Sequence, residues 1–318
     1  MAGNRGDAVA RKVILDCDPG QDDAVAILLA LASPELEVLG ITTVAGNVPL
    51  ALTQRNARQV VELSGRSVPV MAGRDRPLVR PLVTAEHVHG KTGLDGIALP
   101  EPSVPLDPRD GVRFIVETLR REPEGTVTLC PLGPLTNVAA AFREAPDVAG
   151  RVQQIVLMGG GFFEGGNITP AAEFNIYVDP EAAAEVLASG RPLTIVPLDC
   201  SHGALTSRAR IAAFRALGTR AGEVVASWLD FFERFDVEKY GSQGGPLHDP
   251  LVIAWLLRPG LFASRRINVE VETGSDLTRG MTVADWWGVT DRPRNATWAR
   301  SVDADGYFAL LTERIGRL

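Results

Sequence analysis

The chain has 318 residues, 45% of them hydrophobic and 22% charged, with a net charge of −7. It is long enough to bury one large α/β core, and with no long Lys/Arg block it lacks the electrostatic footprint of a nucleic-acid binder. No stretch approaches the roughly 18 consecutive apolar residues of a membrane span, and MAGNRGDAVARK has no secretory apolar core, so a cytoplasmic protein with no membrane partner is expected.

Residues 1–10 read as a flexible tail and 11–318 as a single domain. Short, near-continuous apolar runs suited to parallel strands buried on both faces fall at 12–15, 36–44, 68–71, 126–130, 152–158 and 192–198. Helical patterns fall between them, at 22–32, 50–64, 110–121, 135–143 and 180–189, which is the alternation of a doubly wound, mostly parallel central sheet flanked by helices. The second half changes character. Helices at 207–217, 221–238 and 249–257 suggest a helical insertion or cap, followed by strands at 267–273 and 281–285 and a last helix at 305–315. Cys17, Cys130 and Cys200 are too far apart and too few for a disulfide framework and read as buried thiols.

Asp16 and Asp18, Asn47, Leu132 and Gly133, Asn167 and Asp199 all sit just past strand ends, where open α/β sheets bind ligands. The stretch DCDPGQDDA crowds Asp16, Asp18, Asp22 and Asp23 into eight positions with no Lys or Arg among them. Capping of the helix that follows accounts for one of Asp22 and Asp23. It leaves two acids at the end of a buried strand, and carboxylates packed this closely must take up protons or share a cation. Oxygen-only ligands point to Ca²⁺ or Mg²⁺ rather than Zn²⁺. Gln21 and Ile27 stand where an EF-hand needs Gly and Glu, and P-G-Q-D-D does not fit a phosphatase of the haloacid dehalogenase type.

DCDPGQDDA after a first strand resembles the signature of the nucleoside hydrolases, the family of the inosine-uridine-preferring enzymes. The likeness continues through ITTVAGN (41–47), PLGPLTN (131–137), VLMGGG (156–161), AEFNIYVDPEAA (172–183), HDP (248–250) and GMTVAD (280–285), in the family's order. The resemblance implies Ca²⁺-dependent hydrolysis of ribonucleosides (inosine, uridine or cytidine) to ribose and free base, for nucleoside salvage. It implies Ca²⁺ held by Asp18, Asp23, Asp249 and the Leu132 carbonyl, with Asp18 also the general base on the attacking water. Asp22, Asn47, Asn167, Glu173 and Asn175 match ribose-binding positions, and Asp16 takes a supporting place. A homodimer or homotetramer is also implied. Departure of the base through an oxocarbenium-like sugar needs a positioned nucleophile and help for the leaving group. His248 is the candidate for that help because an imidazole near its ordinary pKa suits proton donation. His89 lies on a loop from which it could reach the base, whereas His87 and His202 read as structural.

The aromatic positions Trp228, Phe231, Phe232 and Phe235 have helical spacing and read as core, and Tyr240 as a residue closing over the base. The glycines of MGGGFFEGGN match no phosphate-binding motif and read as a sharp turn behind Asn167. Two other readings stand beside the hydrolase. A metal-dependent phosphohydrolase would need a catalytic Lys that this motif lacks, and a silent nucleoside-binding protein is opposed by the intact Asp18.

Overall fold

The computed structural model describes residues 10–318, so the expected tail lies outside the described residues apart from Ala10. The side chain of Tyr240 lies outside them too. Among the described residues the strands are β1 Arg11–Cys17, β2 Leu36–Thr43, β3 Val70–Ala72, β4 Val127–Pro131, β5 Val152–Met158, β6 Leu193–Val196, β7 Phe262–Ile267, β8 Val269–Val271, β9 Thr282–Ala284 and β10 Ala296–Val302. Eight of them form one sheet in the order β3-β2-β1-β4-β5-β6-β10-β7, parallel except where β7 runs against β10; β8 and β9 pair as a separate ribbon. This is the expected doubly wound α/β architecture.

Helix Gln21–Leu31 shows why the sheet is covered on both faces. Every residue from Gln21 to Ala30 is buried, so its apolar surface is not a stripe but the whole cylinder. It packs between the sheet side of the molecule and helices Leu50–Leu63, Arg220–Tyr240 and Pro250–Leu257. Helix Gly111–Arg121 is instead amphipathic, capped by Asp110 accepting from the Arg113 N–H, and covers the opposite face together with Thr136–Glu144 and Pro180–Leu187.

Two strands escaped the sequence reading, and the reasons are physical. β7 (FASRRI) is an edge strand whose middle four residues are exposed, and its two arginines protect that edge rather than filling a core. β10 (ATWARSV) buries Ala296, Trp298 and Ala299 but mixes in Thr, Arg and Ser, so it shows no continuous apolar run. The expected strand at 267–273 is divided between the end of β7 and β8, and PLTIVPL gives a four-residue strand that turns at once into helix Leu198–Ser201. The helical cap is present as Arg208–Arg215, Arg220–Tyr240 and Pro250–Leu257.

Candidate active site

β1 lies between β2 and β4, so the direction in which strands are added reverses across β1 and β4. In an open parallel sheet the carboxyl ends at such a switch point leave a crevice for ligands. A cavity of about 530 Å³ opens there. β1 supplies Asp16 and leads to Asp18; the Pro19-Gly20 turn starts helix Gln21–Leu31 with Asp22 and Asp23 in its first turn. Leu132 follows β4, and Asp249 immediately precedes helix Pro250–Leu257.

All five aspartates are at most 5% exposed. Asp16 Oδ1 accepts from Thr42 Oγ1 (2.6 Å) and Asn137 Nδ2 (2.7 Å). Asp18 Oδ2 accepts the Asn47 N–H at 2.7 Å. Asp23 accepts the N–H groups of Asp18 (3.2 Å) and Gly20 (3.0 Å) and the Asn47 amide (3.2 Å), so it does cap the helix start while belonging to the cluster. Ligand oxygens of Asp22, Asp23 and Asp249 lie within 4.8 Å of one another. Asp22 thus belongs to a tight trio with Asp23 and Asp249, and Asp18 adjoins it through its N–H to Asp23 Oδ1. The Leu132 carbonyl accepts the Asn175 amide at 2.6 Å.

Burial raises every one of these carboxyls. Asp16 and Asp22 are lifted to about 6, and Asp23 to about 7 with Asp22 repelling it. Asp18 and Asp249 stand well above the usual range, by burial first and then by neighbouring carboxylates. The charges acting on them are other acids, not arginine or lysine. Asp18 Oδ1 and Asp22 Oδ1 are buried and have no hydrogen-bond partner among the described residues. Hard oxygen donors, unpartnered carboxylate atoms and uncompensated negative charge together fit a divalent cation of the Ca²⁺ type.

Asp18 is also gripped sterically. A Cβ at Gly46 would collide with its Oδ2 and one at Gly133 with its Oδ1, so both positions must lack a side chain.

The ribose candidates line the same cavity: Asp22, Asn47, Asn167, Glu173 and Asn175. Glu173 accepts the N–H groups of Asn175 (2.9 Å), Gly160 (2.9 Å) and Ile176 (3.1 Å), yet burial still raises it to about 7. Asn167 Oδ1 accepts the Phe174 N–H at 2.9 Å. His89, His202, His248, Phe232, Phe235 and Asp236 line the cavity as well. His89 is not on a loose loop but on the helical turn Glu86–His89, buried, with Nδ1 2.8 Å from Gln21 Oε1. Burial lowers both His89 and His248 to about 3, so at neutral pH both rings are neutral and not near the ordinary imidazole value.

A sequence profile of the inosine-uridine preferring nucleoside hydrolases matches residues 13–309. The uncharacterized protein C1683.06c of Schizosaccharomyces pombe is 54% identical, over 96% of this chain and 99% of its own. The pyrimidine-specific ribonucleoside hydrolase RihA of Salmonella arizonae is 48% identical, over 96% and 99%. Among solved structures, the purine-preferring ribonucleoside hydrolase from Gardnerella vaginalis superposes with a TM-score of 0.89 at 32% identity, covering 96% of this chain and 98% of that one. The chain belongs to the nucleoside hydrolase family. It is accordingly a hydrolase of N-glycosidic bonds.

Two residues of this nucleoside hydrolase's site, Thr42 and Asn137, were not singled out in the sequence, and others have contacts that the sequence did not assign. Thr42 and Asn137 hold Asp16, and both lie inside the ITTVAGN and PLGPLTN motifs. Asp199 Oδ1 accepts three successive N–H groups, Phe162, Phe163 and Glu164 (2.9–3.1 Å), while Oδ2 accepts the Trp298 indole at 2.9 Å. That carboxylate anchors the glycine loop ahead of Asn167, where Gly160 has φ +78°. Phe232 and Phe235 reach the cavity wall although their spacing reads as core, whereas Trp228 is fully buried. The helix-period positions 232, 235 and 236 were the signal, since one face of a helix can be cavity as easily as core. His202, read as structural, lines the cavity with Nδ1 3.3 Å from Glu164 Oε2. His87 is exposed and sits edge-on to Phe235.

Proposed function

We propose that this nucleoside hydrolase cleaves the N-glycosidic bond of ribonucleosides in a Ca²⁺-dependent reaction, with pyrimidine ribonucleosides as its preferred substrates. The observation that carries the reading is a cavity lined by Asp22 and Asp249 together with amides, imidazoles and aromatic rings, where those two acids cluster with Asp23 and buried oxygens of Asp18 and Asp22 have no protein partner. The pyrimidine preference is supported by 48% identity to a pyrimidine-specific relative against 32% to a purine-preferring one.

Asp18, Asp23, Asp249 and the Leu132 carbonyl would hold the ion, and Asp22 lies close enough to Asp23 and Asp249 to join them. When bound, Ca²⁺ would neutralise the cluster, lower the pKa of the attacking water and favour binding of a diol. Asp18 takes the proton from that water through Oδ1, the oxygen that no protein donor occupies. Asp22, Asn47, Asn167, Glu173 and Asn175 fix the sugar, so that the anomeric carbon faces Asp18. Asp16 keeps Thr42 and Asn137 in place beneath them. His248, and His89 beside it, face the base as it leaves. Because the water attacks directly, the sugar is released in one step with inverted configuration. The proposed setting is a cytoplasmic homodimer or homotetramer; no helix among the described residues is long and apolar enough to cross a membrane.

The test is a reducing-sugar assay over uridine, cytidine, inosine, adenosine and the 2′-deoxynucleosides, with Ca²⁺ or with EGTA. Ribose release from uridine and cytidine, lost in EGTA and on the deoxy forms, is expected. No ribose from any of them in Ca²⁺ would reject the activity, and faster release from inosine than from uridine would reject the preference.

A further inference from the structure

The turn Leu198–His202 after β6 carries Ser201, whose side chain is fully buried. Its hydroxyl lies 2.7 Å from His248 Nδ1, its one hydrogen-bond partner among the described residues. A buried hydroxyl hydrogen needs an acceptor. If Nδ1 carried a hydrogen of its own, the serine hydrogen would be stranded; the hydroxyl therefore donates and Nδ1 accepts. The hydrogen of the neutral ring is then on Nε2, the nitrogen that Ser201 leaves to a ligand in the cavity that His248 lines. Phe232 lies edge-on to the ring at a centroid distance of 6.5 Å and the His202 ring is tilted against it at 6.0 Å.

We propose that Ser201 is a positioning residue that holds His248 in the Nε2–H tautomer, so that the ring donates a hydrogen bond to the departing base. The inference rests on the hydrolase reading above. The C1′–N bond breaks with its electron pair going to the base, the water oxygen bonds to C1′, and the water proton goes to Asp18. Nε2–H stabilises the charge on the base oxygen or nitrogen without leaving the ring. The base then takes up a proton from solvent while Asp18 returns its own, so His248 ends as it began.

The test has a spectroscopic arm and a kinetic arm. In ¹⁵N spectra of histidine-labelled protein, His248, assigned among the four histidines by its loss in His248→Ala, shows the Nε2–H pattern in the wild type. An Nδ1–H or doubly protonated ring at pH 7.5 overturns the proposal, whether or not any variant folds. In the kinetic arm, Ser201→Ala lowers kcat on uridine by about 10- to 100-fold with KM nearly constant, the range for losing a group that orients a reacting side chain. The loss stays within about threefold on a nitrophenyl riboside, whose leaving group needs no such donor. Ser201→Thr restores most of the uridine rate, and Ser201→Ala/His248→Ala is no slower than His248→Ala alone. Equal losses on both substrates, or a full uridine rate in Ser201→Ala, overturn the proposal. If the wild type releases no ribose from any ribonucleoside, the hydrolase reading itself fails and this inference falls with it.

Discussion

Removing the cation should be visible in stability before it is visible in catalysis. The native state holds five buried aspartates and the unfolded chain does not, so a ligand of that cluster binds the folded form alone and raises its stability by RT ln(1 + [L]/Kd). At free Ca²⁺ one hundred times Kd this is about 2.7 kcal/mol. For 318 residues the unfolding entropy at the midpoint is about 0.67 kcal/mol/K, from about 2.1 cal/mol/K per residue, so the shift expected between EGTA and Ca²⁺ is about 4 °C. Its pH dependence has a definite sign. Asp16, Asp22 and Asp23 are raised from 3.8 to about 6, 6 and 7 in the metal-free protein. The stability that their protonated forms contribute is fully present below about pH 4 and is lost as pH rises through 6 to 7. The cation needs these groups ionised, so its stabilisation grows over the same interval: small at pH 5 and full at pH 7.5. Differential scanning fluorimetry across that range is the assay. Asp249→Asn sharpens it, because an amide removes one repelling charge: the variant should melt above the wild type in EGTA and respond little to Ca²⁺. Identical melting in EGTA and Ca²⁺ at pH 7.5, or a full Ca²⁺ shift in Asp249→Asn, would exclude a divalent cation held by this cluster.

Three further outcomes are expected. Asp18→Asn reduces kcat on uridine by about 10³-fold, the range for losing a general base, while leaving the melting temperature equal or higher; a variant that keeps a tenth of the rate removes Asp18 from that role. Gly133→Ala drives a Cβ into Asp18 Oδ1 and should cost about 100-fold in turnover through displacement of the base, whereas Gly260→Ala, which meets nothing within 4 Å, leaves the rate unchanged. Asn137→Ala takes one donor from Asp16 and a partner from the Thr43 carbonyl, a loss of about 2 kcal/mol read as a melting temperature lower by about 3 °C; an unchanged midpoint would show that Asp16 needs no such support.

How far the sequence carried depends on what each residue answers to. Buried parallel strands are apolar on both faces, so KVIL and VQQIVLM declared themselves, while β7 and β10 near the sheet's open edge carry arginines and did not. The aspartates were legible because four acids in eight positions have few explanations. The partners of the chemistry were not. Ser201 and His248 are 47 positions apart and meet only after β6 turns sharply into Leu198–Ser201, a turn hidden inside what reads as one apolar run. Likewise the low pKa of His248 comes from burial and from His202 and His89, and burial by distant elements has no local signature.

The anchoring of the carboxylates divides support from chemistry oxygen by oxygen. Asp16 is held through Oδ1 and Asp18 through Oδ2, each leaving its other oxygen buried without a protein donor; Asp23 has both oxygens held, and Asp22 Oδ1 has none. A held oxygen fixes where its carboxylate sits, and an unheld one is left to interact with whatever enters the cavity. By that criterion Asp23, the most completely tied, is a rigid edge of the cluster, whereas Asp18 combines one tied oxygen with one open one, the arrangement a general base requires. Ser201 and His248 repeat the pattern, with Nδ1 tied to the serine and Nε2 left without a described protein partner. The fold thus supplies the proposed reaction with two half-anchored groups, Asp18 for the proton of the attacking water and His248 for the departing base.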